Sequence, residues 1–172
     1  MAGIEHPGEM PERPAAAQQV IDSHAGIFRR LADDHAQVAS LMQQVIATPD
    51  EAVRESLFED VRRELLSHAR AEQNTFYEAL RDHATTREFA VHAWEEHEEV
   101  EQLLTELEGE DTSDDAWMDT FVQMMTAVEH HVSAEEGEMF AQAKNVLSKQ
   151  DARELEERFA VAKDEEFDRL EE

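Results

Sequence analysis

The sequence contains no cysteine, which removes disulfides, thiolate zinc sites and iron–sulfur clusters together. Any metal must be held by histidine, carboxylate or tyrosine. Basic residues are scarce, 15 against 42 acidic ones, for a formal charge of -27. A surface of that sign repels nucleic-acid phosphates and anionic membranes, so neither is expected as a partner. Glycine and proline are few, and Pro7, Pro11 and Pro14 all fall near the start. No apolar run approaches the roughly 20 residues of a membrane span. The opening M-A-G-I-E-H-P-G-E-M-P lacks the basic and apolar regions of a secretory signal, so a cytoplasmic protein is expected. Strand signals are missing throughout.

What is present is helical periodicity. Apolar residues make up 41% of the chain and recur at spacings that disordered acidic chains lack. Residues 1–16 read as a flexible arm. A first helix runs from about Ala17 through Phe28, Leu31, His35, Val38, Met42 and Val45. Thr48, Pro49 and Glu51 supply a cap, first residue and capping-box carboxylate for a second helix to about His83, with Leu57, Val61, Leu65, His68, Glu72 and Phe76 on its buried face. Thr85 and Glu88 open a third helix that Gly109 closes. A fourth runs from Asp114–Asp115 to about Leu147 with Phe121, Met125, Val128, Val132, Glu135 and Met139 inward. Ser148 and Asp151 cap a fifth, charge-rich segment expected to pack peripherally. The reading is all-α: an up-down-up-down four-helix bundle over 17–147 with an appended C-terminal helix, 148–172.

His-x-x-x-Glu recurs in three separate helical segments, at His68–Glu72, His97–Glu101 and His131–Glu135. At about 100° per residue, His68 and Glu72 share the direction of Val61 and Leu65, and His97 and Glu101 that of Ala90, Ala93 and Leu104. His35 lies with Phe28 and Leu31. On the fourth helix His131 falls about 60° from Val128 while His130 falls about 160° away, so His131 faces in. Glu136 is expected to face solvent or stand behind the inward residues. Gly137 is expected to let a neighbouring backbone approach, and Tyr77, about 140° from Glu72, to be a packing residue. Burying three unpaired carboxylates costs several kcal/mol each, and a cation between the helices resolves that cost. Four imidazoles and three carboxylates exceed what one structural zinc needs and carry too much nitrogen for calcium or magnesium. Two first-row ions, iron or manganese, fit the count.

The segments D-D-H-A-Q-V, L-S-H-A-R-A-E-Q-N-T-F-Y, E-E-H-E-E-V-E-Q-L-L and V-E-H-H-V-S-A-E-E-G-E-M-F resemble, in order, the motifs of bacterial hemerythrin-like (HHE cation-binding) domains, over residues from about 20 to 147. The resemblance implies a non-haem di-iron site with an oxo or hydroxo bridge that binds dioxygen, peroxide or related small oxidants. The ligands it implies are His35, His68, Glu72, His97, Glu101, His131 and Glu135, with Glu72 and Glu135 bridging. Glu101 stands where animal oxygen carriers have a histidine, and a carboxylate there favours ferric iron over reversible oxygen carriage. Oxygen binding, sensing or scavenging is the leading expectation. Peroxide decomposition or iron sequestration at the same site, and a metal-free acidic interaction module, are the alternatives.

Overall fold

In the computed structural model of the chain, residues 25–171 are described, and among them there are helices and no strands. The elements are α1 (Ile27–Ala47), α2 (Glu51–Asn74), α3 (Phe76–Arg81), α4 (Arg87–Gly109), α5 (Asp115–Ala134), a π-helical turn (Glu135–Met139), α6 (Phe140–Val146) and α7 (Lys149–Glu171). α2 with α3, and α5 with the π turn and α6, are interrupted rods. Four rods therefore form the expected bundle, and α7 is the appended helix. The proposed arm and the expected start of the first helix before residue 25 lie outside the described residues. No described helix is long and apolar enough to cross a membrane.

Several boundaries differ from the sequence reading for local reasons. Thr48 precedes Pro49 and takes an extended conformation that ends α1, as a residue before proline prefers. Asp50, not Thr48, caps α2, its side chain accepting from Val53 N at 2.9 Å. Thr86 rather than Thr85 precedes α4, and its hydroxyl donates to Leu80 O at 2.7 Å, stapling the turn from α3. The Ser148–Asp151 cap is as expected: each backbone N–H donates to the other's side chain, at 2.8 and 3.0 Å. Gly137 admits no close neighbour, since a Cβ there would meet nothing within 4 Å.

Gly26 matters more. Its φ is 60°, and a Cβ would lie 2.7 Å from the Ala152 carbonyl carbon and oxygen. The left-handed conformation and the contact with α7 both require glycine. Gly26→Ala is expected to lower stability by about 2–4 kcal/mol, read as a lower urea midpoint with an unchanged slope.

Along each long helix one line of buried residues follows alternating steps of three and four: Phe28, Leu31, His35, Val38, Met42, Val45 on α1 and Phe58, Val61, Leu65, His68, Glu72 on α2. On α4 they are Ala90, Ala93, His97, Val100, Leu104, Leu107, and on α5 Trp117, Phe121, Met124, Val128, His131. This is the narrow seam of a left-handed bundle, so Met124 takes the interior place expected of Met125, and Val132 is half-buried. The histidines and two glutamates form a polar layer across the seam. On one side lie Phe28, Phe76, Tyr77, Phe140 and Phe159, and on the other Met42, Phe58, Leu104, Trp117 and Phe121.

α7 is not peripheral. Leu155 and Phe159 are buried, and so are Lys163 and Glu166. The lysine stem covers apolar surface while its ammonium finds carboxylates beneath: Nζ donates to Asp34 Oδ2 at 2.9 Å and to Glu64 Oε2 at 2.8 Å.

Candidate metal centre

The seam explains which His-x-x-x-Glu pairs point inward together. His68 and His131 are each followed by a step of four, so Glu72 and Glu135 fall on the seam; both are essentially fully buried. His35 and His97 are followed by a step of three, to Val38 and Val100. A residue four beyond either one drifts to the flank. Glu101, four beyond His97, accordingly stands outside the inward donor groups: its side chain is 48% exposed and accepts from Arg70 Nη2 at 2.8 Å.

Six donors remain in two overlapping groups, His35 with His68, Glu72 and Glu135, and Glu72 with His97 and His131, each with donor atoms within 4.8 Å of one another. Glu135 lies between two helices' imidazoles, Oε1 at 3.3 Å from His35 Nε2 and Oε2 at 3.4 Å from His131 Nε2. Glu72 Oε2 sits 3.2 Å from His68 Nε2 and 3.3 Å from His97 Nε2. Each carboxylate thus touches one histidine of each group. Despite these distances, His35 Nε2, His68 Nε2, Glu72 Oε1 and Glu135 Oε1 are buried without an aligned hydrogen bond. Leaving such atoms unpaired costs about 1–3 kcal/mol each. The donor set converges without satisfying itself, as a site able to hold metal ions would.

Tyr77 is the residue that the sequence reading misplaced. It is fully buried, and its hydroxyl lies 3.1 Å from Glu72 Oε2, 3.2 Å from His97 Nε2 and 3.3 Å from His131 Nε2, and donates to Glu135 Oε2. A uniform 100° step carries it away from Glu72, but the helix is not uniform there. At Thr75, φ −129° and ψ −76° break the rod between α2 and α3 and turn Tyr77 inward. The Thr75 hydroxyl, donating to Ala71 O at 2.7 Å, secures the break.

Behind three of the histidines stands a carboxylate from a neighbouring helix. His68 Nδ1 faces Asp34 Oδ2 at 3.1 Å, His35 Nδ1 faces Glu136 Oε1 at 2.8 Å, and His131 Nδ1 faces Glu96 Oε1 at 3.5 Å. Such partners fix the proton on Nδ1 and aim the Nε2 lone pair inward. His97 Nδ1 is buried with no such partner. The signal for these residues is a simple one. Asp34, Glu96 and Glu136 each adjoin an inward residue in sequence, in D-D-H, E-E-H and E-E, and one 100° step delivers them to the next helix's histidine rather than their own. His130 and His92 stay outside, 77% and 70% exposed.

Without metal the layer holds protons. Burial opposes the charged form of His35, but the Glu135 and Glu136 carboxylates override it and raise its pKa to about 10. Burial likewise opposes charge on His131, and Glu135 with Glu96 raises it to about 10. His97 moves the other way: burial dominates and keeps it neutral. The Nε2 atoms of His131 and His97 lie 3.0 Å apart. Burial, then the Glu135 and Glu72 charges, push Tyr77 well above its ordinary value, so its phenol stays protonated. Glu135 is driven well below the carboxylate range by His131 and His35 in spite of its burial.

Beside the layer is a cavity of about 40 Å³, walled by Val38, Leu65, Val100, Leu104 and Val128, floored by the four histidines and bordered by Glu101. Its lining is overwhelmingly apolar.

A helical bundle crossed by a buried histidine–carboxylate layer of this kind defines a metal-binding class of protein. The model of the hemerythrin HHE cation-binding domain matches residues 26–143, and the chain belongs to that family. The crystal structure of a hemerythrin HHE cation-binding domain-containing protein from Mycobacterium kansasii is similar to it, at 26% identity and a TM-score of 0.74, over 84% of this chain and 89% of that one. No curated protein is similar enough in sequence to match.

Proposed function

We propose that this is a cytoplasmic non-haem di-iron protein that binds dioxygen or a related small oxidant. The observation that carries the reading is the pair of overlapping donor groups with their unsatisfied buried atoms. Glu72 and Glu135 would be shared between two ions, His35 and His68 would serve one, and His97, His131 and Tyr77 the other. The donor set is mixed nitrogen and oxygen, as iron prefers. When bound, iron supplies an open coordination position and the reversible loss of two electrons.

The chain's own residues do the rest. Asp34, Glu136 and Glu96 hold His68, His35 and His131 by their outer nitrogens, so these imidazoles present Nε2 inward. Tyr77, whose hydroxyl lies beside His97 and His131, would add an oxygen donor on that side by releasing its proton to solvent as metal binds. The valines and leucines of the 40 Å³ cavity exclude bulk water and admit a small apolar molecule beside the histidines, which favours dioxygen over hydrogen peroxide.

Iron quantified after anaerobic loading of the pure protein should approach two per chain, and air should then bring up near-ultraviolet charge-transfer absorption. Protein that takes up no iron, or shows no spectral change in air, overturns the proposal. Within the ligand set, Tyr77→Phe is expected to weaken iron binding about 10–100-fold in chelator competition, while Glu101→Gln leaves it within about twofold.

A further inference from the structure

The C-terminal helix lies beyond residues 26–143, over which the family model matches, yet it reaches the donor layer. Phe159 packs edge-on against His68, with ring centroids 5.5 Å apart. One turn later Lys163, one of only three lysines in the chain, is buried with its ammonium on Asp34. The atom it chooses is the important detail. Asp34 Oδ2 takes both His68 Nδ1, at 3.1 Å, and Lys163 Nζ, at 2.9 Å, so imidazole and ammonium compete for the lone pairs of one oxygen.

Resting on the di-iron reading, we propose that Lys163 is a positioning residue that weakens the pull of Asp34 on His68 and so makes the metal held by His35 and His68 easier to reduce. A carboxylate behind a ligating histidine draws on the Nδ1 proton and makes Nε2 a stronger donor, which stabilises the higher oxidation state. An ammonium on the same oxygen withdraws part of that effect and adds a positive charge of its own. Both act in one direction. The other outer carboxylates are placed differently: Glu136 is 35% exposed behind His35, and Glu96 stands behind His131 among the exposed His92 and His130. Asp34 alone of the three is fully enclosed, at 7% exposure, so what sits on it is not diluted by solvent. Glu64 modulates the arrangement, because it holds the same ammonium at 2.8 Å from the far side.

The test is a redox titration of iron-loaded protein in three variants. Lys163→Met should favour ferric over ferrous iron at least tenfold, a potential about 59 mV lower for one electron. Glu64→Gln, which leaves Lys163 to Asp34, should shift it the opposite way by about threefold or more, and Lys163→Arg should restore the wild-type value within threefold. A role confined to docking α7 predicts instead a lower melting temperature with an unchanged potential, or shifts of one sign in both variants, and either result overturns the proposal. Should Lys163→Met fail to fold, the sign of the Glu64→Gln shift decides. Wild-type protein that holds no iron defeats the di-iron reading and this one with it, whereas iron-loaded wild type with unmoved variants defeats this one alone.

Discussion

Glu135→Ala is expected to leave a folded bundle that binds no metal, with iron content below a tenth of wild type after identical loading and far-ultraviolet circular dichroism unchanged. The two oxygens of Glu135 are divided between His35 on α1 and His131 on α5, at 3.3 and 3.4 Å. Removing the side chain strips a donor from both ends of the layer, so the loss should exceed the 10–100-fold typical of an outer partner. At least 10³-fold in affinity, about 4 kcal/mol, is the expected scale. The fold should survive because Glu135 is not part of either apolar half of the core. A variant that still holds two irons per chain would remove Glu135 from the ligand set.

The second large effect is on pH. His35 and His131 have folded pKa values of about 10 in the metal-free protein against an ordinary value near 6.5. The folded state therefore holds protons that the unfolded chain has released over that window. Stability from these groups is fully present below about pH 6.5 and is lost as pH rises through about 10. Because both histidines lean on the same Glu135, their contributions do not add, and a total of about 5 kcal/mol is the expected ceiling. Asp34 sets the acid limb. Burial opposes its charge, but His68 and Lys163 bring its pKa down to about 2, so its contribution is present above about pH 4 and fades toward 2. Urea midpoints of chelator-treated protein should thus fall from pH 6.5 to 10. Metal must displace the histidine protons, so its apparent affinity should climb over the same range and the metal-loaded protein should show no alkaline loss. A flat alkaline profile for the metal-free chain would contradict the paired histidines and carboxylates.

Much of this layer was legible before any coordinates, and the reason is geometric. His35, His68, His97 and His131 sit in uninterrupted helices, where a 100° step assigns direction well enough to separate His131 from His130 and His97 from His92. Glu101 stands outside the donor groups because a smooth 3.6-residue stripe and an alternating three-four seam differ by one flank position, and at that position its carboxylate meets Arg70. The seam itself could have been read, since His97 is followed at three by Val100 and not at four by an apolar residue. Tyr77 was hidden for another reason: the break at Thr75 depends on a side chain binding its own helix's backbone, which no periodicity records. Lys163 was hidden by composition. A charged helix looks solvated until a carboxylate on another helix is known to lie beneath it.

The division of the core has a consequence for cooperativity. The polar layer cuts the apolar interior into two separate clusters, and each long rod runs through both. In the metal-free chain the two clusters communicate through a band of ion pairs and protons, a poor transmitter of packing. Amide exchange should then reveal two opening units, with α1, α4 and the two interrupted rods each protected in halves. Two ions shared between Glu72 and Glu135 would join the halves into one unit that opens all at once, so metal occupancy becomes legible in how many ways the protein comes apart.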